Sequence, residues 1–111
     1  VADALKVLGQ LDPSATTVTT LYTVPDKTMT TVSSFVACNQ AGSAGTFRLT
    51  VHVEGASADD MQYLYYDKSV AATDTLTVVI GITLNQTDVL KVYASSASFS
   101  FNLFGVETTN D

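Results

Sequence analysis

Few side chains in this sequence can do proton or nucleophile chemistry. The 111 residues hold one histidine, His52, one cysteine, Cys38, and eleven carboxylates. His52 lies two positions before Glu54 and four after Arg48. In an extended strand these three share a face, so Glu54 could orient the imidazole as a triad acid orients its base. A triad also needs a nucleophile beside that base, and no G-x-S-x-G turn presents one. His52 therefore reads first as a surface or interface histidine and only second as a catalytic one. Cys38 has no flanking cation to favour its thiolate and reads as a small buried hydrophobe. Being alone, it can form no intrachain disulfide.

Metal and cofactor chemistry find equally little footing, and no cofactor is expected. Zinc needs several Cys and His ligands, and there is one of each. Calcium could be drawn to Asp59 and Asp60 with Asp67 or Glu54, but no D-x-D-x-D-G loop supports it. Any pair of the acids could be imagined across a glycosidase cleft, which leaves that pattern without information. Gly42 and Gly45 lack the Lys-Ser/Thr that completes a phosphate-binding loop. The chain reads as non-enzymatic.

Charge removes further classes. Five Lys and Arg stand against eleven Asp and Glu, for a net charge of −6 and an isoelectric point near 4.3. The cations at 6, 27, 48, 68 and 91 are spread singly. A polyanionic backbone or an anionic membrane surface would repel such a chain, so neither nucleic acid nor membrane is an expected partner. No run of 18 apolar residues is present to span a bilayer. Instead, 46% of residues are hydrophobic, 14% are charged, and polarity resides in 17 Thr and 10 Ser.

The elements that must position these residues are strands. Helix formers never assemble at i, i+3, i+4, i+7, whereas alternation of period two recurs. Along Phe47–Glu54 it predicts Phe47, Leu49, Val51 and Val53 inward and Arg48, Thr50, His52 and Glu54 outward. Along Thr75–Leu84 it predicts one strand with Leu76, Val78, Ile80, Ile82 and Leu84 inward. Phe99, Phe101 and Leu103 form a third inward row. Turn chemistry at Asp12-Pro13-Ser14 and Pro25-Asp26-Lys27, and polar stretches at 39–45, 56–60 and 85–87, separate further strands. Seven or eight strands at spacings near ten residues predict one all-β domain over 1–111. The expected fold is an antiparallel β-sandwich, jelly-roll or immunoglobulin-like, with extended tails at 1–4 and 107–111. The stretches Tyr22–Lys27 and Ile82–Asp88 each end a strand at a polar turn, a faint internal echo.

Some strands carry apolar side chains on both faces. Met61–Tyr66 places Tyr63 and Tyr65 on one side and Leu64 and Tyr66 on the other, so one side faces the core and the other suits a protein contact or a sugar. Val79 and Phe104 fall on the outer side of their strands, and Phe35 opposes Val36. Another chain usually covers such positions. Tyr63, Tyr65, Val79, Phe104, Arg48 and His52 are thus the candidate interface residues.

Read in order, Leu8-Gly9-Gln10, Leu21-Tyr22-Thr23-Val24-Pro25, Val36-Ala37-Cys38-Asn39, Thr46-Phe47-Arg48, Tyr63-Leu64-Tyr65-Tyr66-Asp67, Ile80–Leu84, Val92–Ser95 and Leu103-Phe104-Gly105 form a strand-and-turn pattern. It resembles small all-β virion proteins of tailed bacteriophages, namely capsid decoration (cement) proteins and head-fibre or tail-associated modules. The resemblance covers almost the whole chain and carries no catalytic signature. It implies a homotrimer on the outer surface of the capsid, bound to the major capsid protein at threefold or quasi-threefold positions and stabilising the head. Its alternative is a head-fibre or tail module that binds host-surface glycans through Tyr63 and Tyr65. In the decoration reading, the N-terminal segment 1–11 or the C-terminal segment 107–111 reaches toward the shell.

Overall fold

A computed structural model describes residues 2–109. The described residues form nine strands: β1 (Ala2–Leu11), β2 (Thr19–Thr23), β3 (Thr28–Asn39), β4 (Gly45–His52), β5 (Tyr63–Val70), β6 (Thr75–Val78), β7 (Ile82–Leu84), β8 (Val89–Ala94) and β9 (Phe99–Thr109). Short 3-10 turns at Val53–Gly55 and Asp60–Gln62 interrupt them. The expected all-β class is observed. The single strand anticipated over Thr75–Leu84 is instead β6 and β7, broken at Val79–Gly81, where the Ile82 amide bonds the Ile80 carbonyl at 3.0 Å. The predicted facing survives that break: Leu84 is buried, Leu76, Val78, Ile80 and Ile82 are partly buried, and Val79 is 87% exposed.

Strand order resolves the fold as a jelly roll. The chain behaves as a long antiparallel ribbon in which β1 pairs β9, β2 pairs β8, β3 pairs β6 and β7, and β4 pairs β5. Wrapping that ribbon brings β9 against β3 and β8 against β4. The result is a first sheet ordered β1-β9-β3-β6/β7 facing a second ordered β2-β8-β4-β5. Connections cross repeatedly between the sheets, which is double Greek-key wiring. The immunoglobulin-like alternative is thereby excluded. The two stretches that echo each other in sequence are neighbours: Val24 and Asp88 bond through N–H and C=O at 3.0 Å, and the Thr87 amide donates to the Val24 carbonyl at 3.1 Å.

Between the sheets lies an aromatic core. Phe35, Phe47, Phe99 and Phe101 are each at most 1% exposed, with ring centres 5.7–6.4 Å apart. Burying each contributes roughly 1.5–3 kcal/mol. At one end the core turns polar. The Tyr22 hydroxyl lies 2.7 Å from Thr30 Oγ1 and donates to Glu107 Oε2 at 2.5 Å, while Lys6 Nζ reaches Glu107 Oε1 at 3.1 Å. One carboxylate ties three strands, β1, β2 and β9, and the Tyr22 hydroxyl extends the network to Thr30 in β3.

Of the segments expected as extended tails, Ala2–Ala4 and Glu107–Thr109 are paired strand in β1 and β9, and the Glu107 carboxylate is bonded to Tyr22 and Lys6. Val1, Asn110 and Asp111 lie outside the described residues.

Candidate functional site

Functional candidates fall on the outer faces of the two sheets. On the second sheet, the register pairs Arg48 with Tyr93 and Thr50 with Lys91, placing all four outward. The Arg48 guanidinium carbon lies 4.3 Å from the ring centre of Tyr66 and 4.6 Å from that of Tyr93, a cation held between two π faces. Its Nε donates to Asp67 Oδ1 at 2.7 Å and its Nη2 to Asp67 Oδ2 at 3.3 Å. This bidentate bond holds the Asp67 carboxyl below the usual carboxylate range and raises the guanidinium further. Asp67 has φ of 49°, a left-handed backbone that Asp tolerates, at the bulge where Tyr66 and Asp67 together oppose Arg48.

A second bulge separates the two tyrosines expected to share a face. Thr50 pairs Tyr63 while Leu49 pairs Tyr65, leaving Leu64 as the extra residue. Directly opposed residues point to the same side, so Tyr65 follows Leu49 inward and Tyr63 follows Thr50 outward. The Tyr65 ring packs on Phe47 at 5.7 Å, and Tyr63 meets Tyr66 edge-on at 4.8 Å. The predicted Tyr63/Tyr65 surface does not exist; the outward aromatic group is Tyr63, Tyr66 and Tyr93. Strict alternation hides this, because one inserted residue reverses every facing beyond it.

His52 also departs from expectation. Its strand position is outward, opposite Val89, but the side chain is 3% exposed because residues 53–62 fold back over it. Nδ1 lies 2.9 Å from the Ala56 carbonyl, which can only accept, so this nitrogen carries the proton. Nε2 lies 2.9 Å from Thr50 Oγ1. Glu54 does not orient the ring: the chain leaves the strand at Val53, Glu54 takes φ of 54°, and its amide donates to Asp88 Oδ1 at 2.9 Å. Val53, expected inward, is 62% exposed for the same reason. With both nitrogens engaged, His52 brackets the loop to the sheet. Gln62 completes the bracket, donating to the Ser57 carbonyl at 2.9 Å and accepting from the Asp59 amide at 2.9 Å. A small cleft beside it is lined by Val18, Arg48, Thr50, Asp59, Tyr63 and Tyr93.

Two of the carboxylates considered for calcium are otherwise occupied. Asp59 caps the second 3-10 turn and Asp67 holds Arg48. Among the described residues, no group of three or more His, Cys, Asp or Glu side chains is placed to hold a metal ion.

The outer face of the first sheet has a different character. Register places Leu5 opposite Val106 and Val7 opposite Phe104, all outward. Leu5 is 83% and Val7 47% exposed, with Phe104 and Val106 partly exposed beside them. Val79 protrudes at the opposite edge of the same face. Phe104 and Val79 are thus outward, as alternation predicts. Leu5, Val7 and Val106 were not singled out from sequence, although Leu5 and Val7 alternate with Ala4 and Lys6. Thr31, Ser34, Thr77 and Thr83 fill the positions between. Among the described residues on this face, the one charge is Asp3, which accepts from Thr108 Oγ1 at 2.8 Å.

No family model matches the sequence, and no curated protein matches it. Among solved structures, two crystal structures of a pentameric capsid protein isolated from metagenomic phage sequences are similar to this chain at 17% identity, with TM-scores of 0.33 and 0.32. The similarity covers 96% of this chain and 65% and 64% of those chains, so this chain spans slightly less than two thirds of their length.

Proposed function

We propose that this chain is a non-enzymatic structural protein of a tailed-bacteriophage virion, and specifically a capsid decoration protein that binds the major capsid protein and stabilises the head. The observation that carries the proposal is the first sheet's outer face, where apolar and hydroxyl side chains stand almost free of charge on a chain of net charge −6. A surface of that kind is suited to packing against protein. The strand-and-turn resemblance supplies the virion setting and the expected homotrimer. Trimerisation would make the second and third attachments to a lattice effectively intramolecular, multiplying weak contacts.

Mechanically, such a subunit bridges neighbouring capsomers and raises the free energy of shell rupture against internal DNA pressure. Particles lacking the protein should release DNA at a lower temperature than complete ones, measured by dye accessibility on heating; identical release curves reject the cement role. Its density on an intact particle should stand on the outer shell. The packing of Tyr65 on Phe47, on the side of the sheet away from Tyr63, supports this reading over a head-fibre or tail module gripping glycans through both rings.

A further inference from the structure

We infer that the outer face of the first sheet, centred on Leu5, Val7, Phe104 and Val106 and extending to Val79, is closed by a second copy of this chain. The inference rests on the assembly reading and names what covers that face; copies meeting through the same face make an isologous pair, so a trimer would need a further contact elsewhere. Charge points to the occupant. Two copies of a chain with net charge −6 repel each other wherever their carboxylates approach. The least repulsive contact lies on the face whose one described charge is Asp3. A partner chosen by opposite charge would leave basic or acidic side chains there to match it. The second sheet shows the contrast, carrying Arg48, Asp67 and Lys91 outward.

Area points the same way. Four strands at ~4.8 Å spacing and about ten residues at ~3.3 Å each give a face on the order of 600 Å² in projection. A stable interface between two proteins buries about 800 Å² per partner, and the protruding Leu5 and Val79 side chains raise the accessible area above the projected one. Sheets pack face to face at about 10 Å, their strands inclined by about 30°.

Sedimentation velocity of the isolated chain tests this directly. The wild type should run above its 11.7 kDa monomer mass at micromolar concentrations. The double variant Leu5→Lys with Val79→Lys changes two exposed positions, so it should keep the wild-type circular dichroism while its dissociation constant rises at least tenfold. Met61→Lys, an 85% exposed apolar residue outside this face, should leave association unchanged. A wild type that stays monomeric throughout, or a double variant that associates as the wild type does, overturns the inference. Neither result bears on whether the protein is found on particles. Absence from particles would overturn the virion reading and leave this contact standing.

Discussion

Glu107 shows how one side chain can hold three strands together. Its carboxyl is held below the ordinary value of 4.5, chiefly by the Tyr22 hydroxyl and then by Lys6, against the opposing effect of burial. The Tyr22 phenol is pushed well above its usual range by burial and by the same carboxylate, so it stays protonated and donating. Because the folded state lowers the carboxyl pKa, the stabilisation is complete above about 4.5 and is lost as pH falls below it. Glu107→Gln should therefore cost about 1.5–3 kcal/mol at neutral pH, the range for hydrogen bonds to a charged group. It should also flatten the loss of stability as pH falls below about 4.5, measured by urea unfolding at a series of acidic pH values. His52 is likewise a structural residue. Its replacement by Ala removes the bonds to the Ala56 carbonyl and the Thr50 hydroxyl and should cost roughly 1–3 kcal/mol in thermal or urea unfolding.

Among the elements, the bulges decide the local geometry. Leu8 in β1, Ser33 in β3 and the Val79–Gly81 break between β6 and β7 lie at one level across the first sheet. Gly105 sits beside them, opposite Lys6 and Val32. A Cβ there would stand 2.2 Å from the Thr31 carbonyl oxygen and 3.0 Å from Val32 Cα and Leu8 Cδ1. Two of those atoms are backbone and cannot step aside. Gly105→Ala should destabilise by about 3 kcal/mol or more, at the upper end of overpacking. By contrast, Gly42→Ala meets nothing within 4 Å and should stay within about 0.5 kcal/mol of wild type. Thermal midpoints of the two variants check the contrast. Bulges also explain the outer surfaces. The pair in β5 sends Tyr65 to the core and gathers Tyr63 and Tyr66 beside Arg48.

For the whole molecule, topology and charge make the predictions. β1 pairs with β9 across nearly the full chain length, and β2 with β8 across some seventy residues. Closing such loops precedes most of the contacts that reward them, so refolding should take milliseconds to seconds, as stopped-flow tyrosine fluorescence would measure. Charge is distributed unevenly over the two outer faces. If copies meet through the first sheet, association should strengthen modestly between 20 and 150 mM salt, because screening weakens the repulsion between acidic subunits. Contact through the Arg48 and Lys91 side with an acidic surface would weaken instead.

Alternation is a local property, and what depends on it alone was legible in the residues. The all-β class, the inward rows Phe47/Leu49, Leu76–Leu84 and Phe99–Leu103, and the outward Val79, Arg48 and Phe104 all follow from side chains that alternate along a strand. Jelly-roll order, the split of Tyr63 from Tyr65, the burial of His52 under residues 53–62 and the anchoring of Glu107 were not legible there. Each depends on which strand lies beside which and on where one extra residue shifts the register. Those choices are made by packing between segments up to a hundred residues apart, and only the tertiary structure contains them.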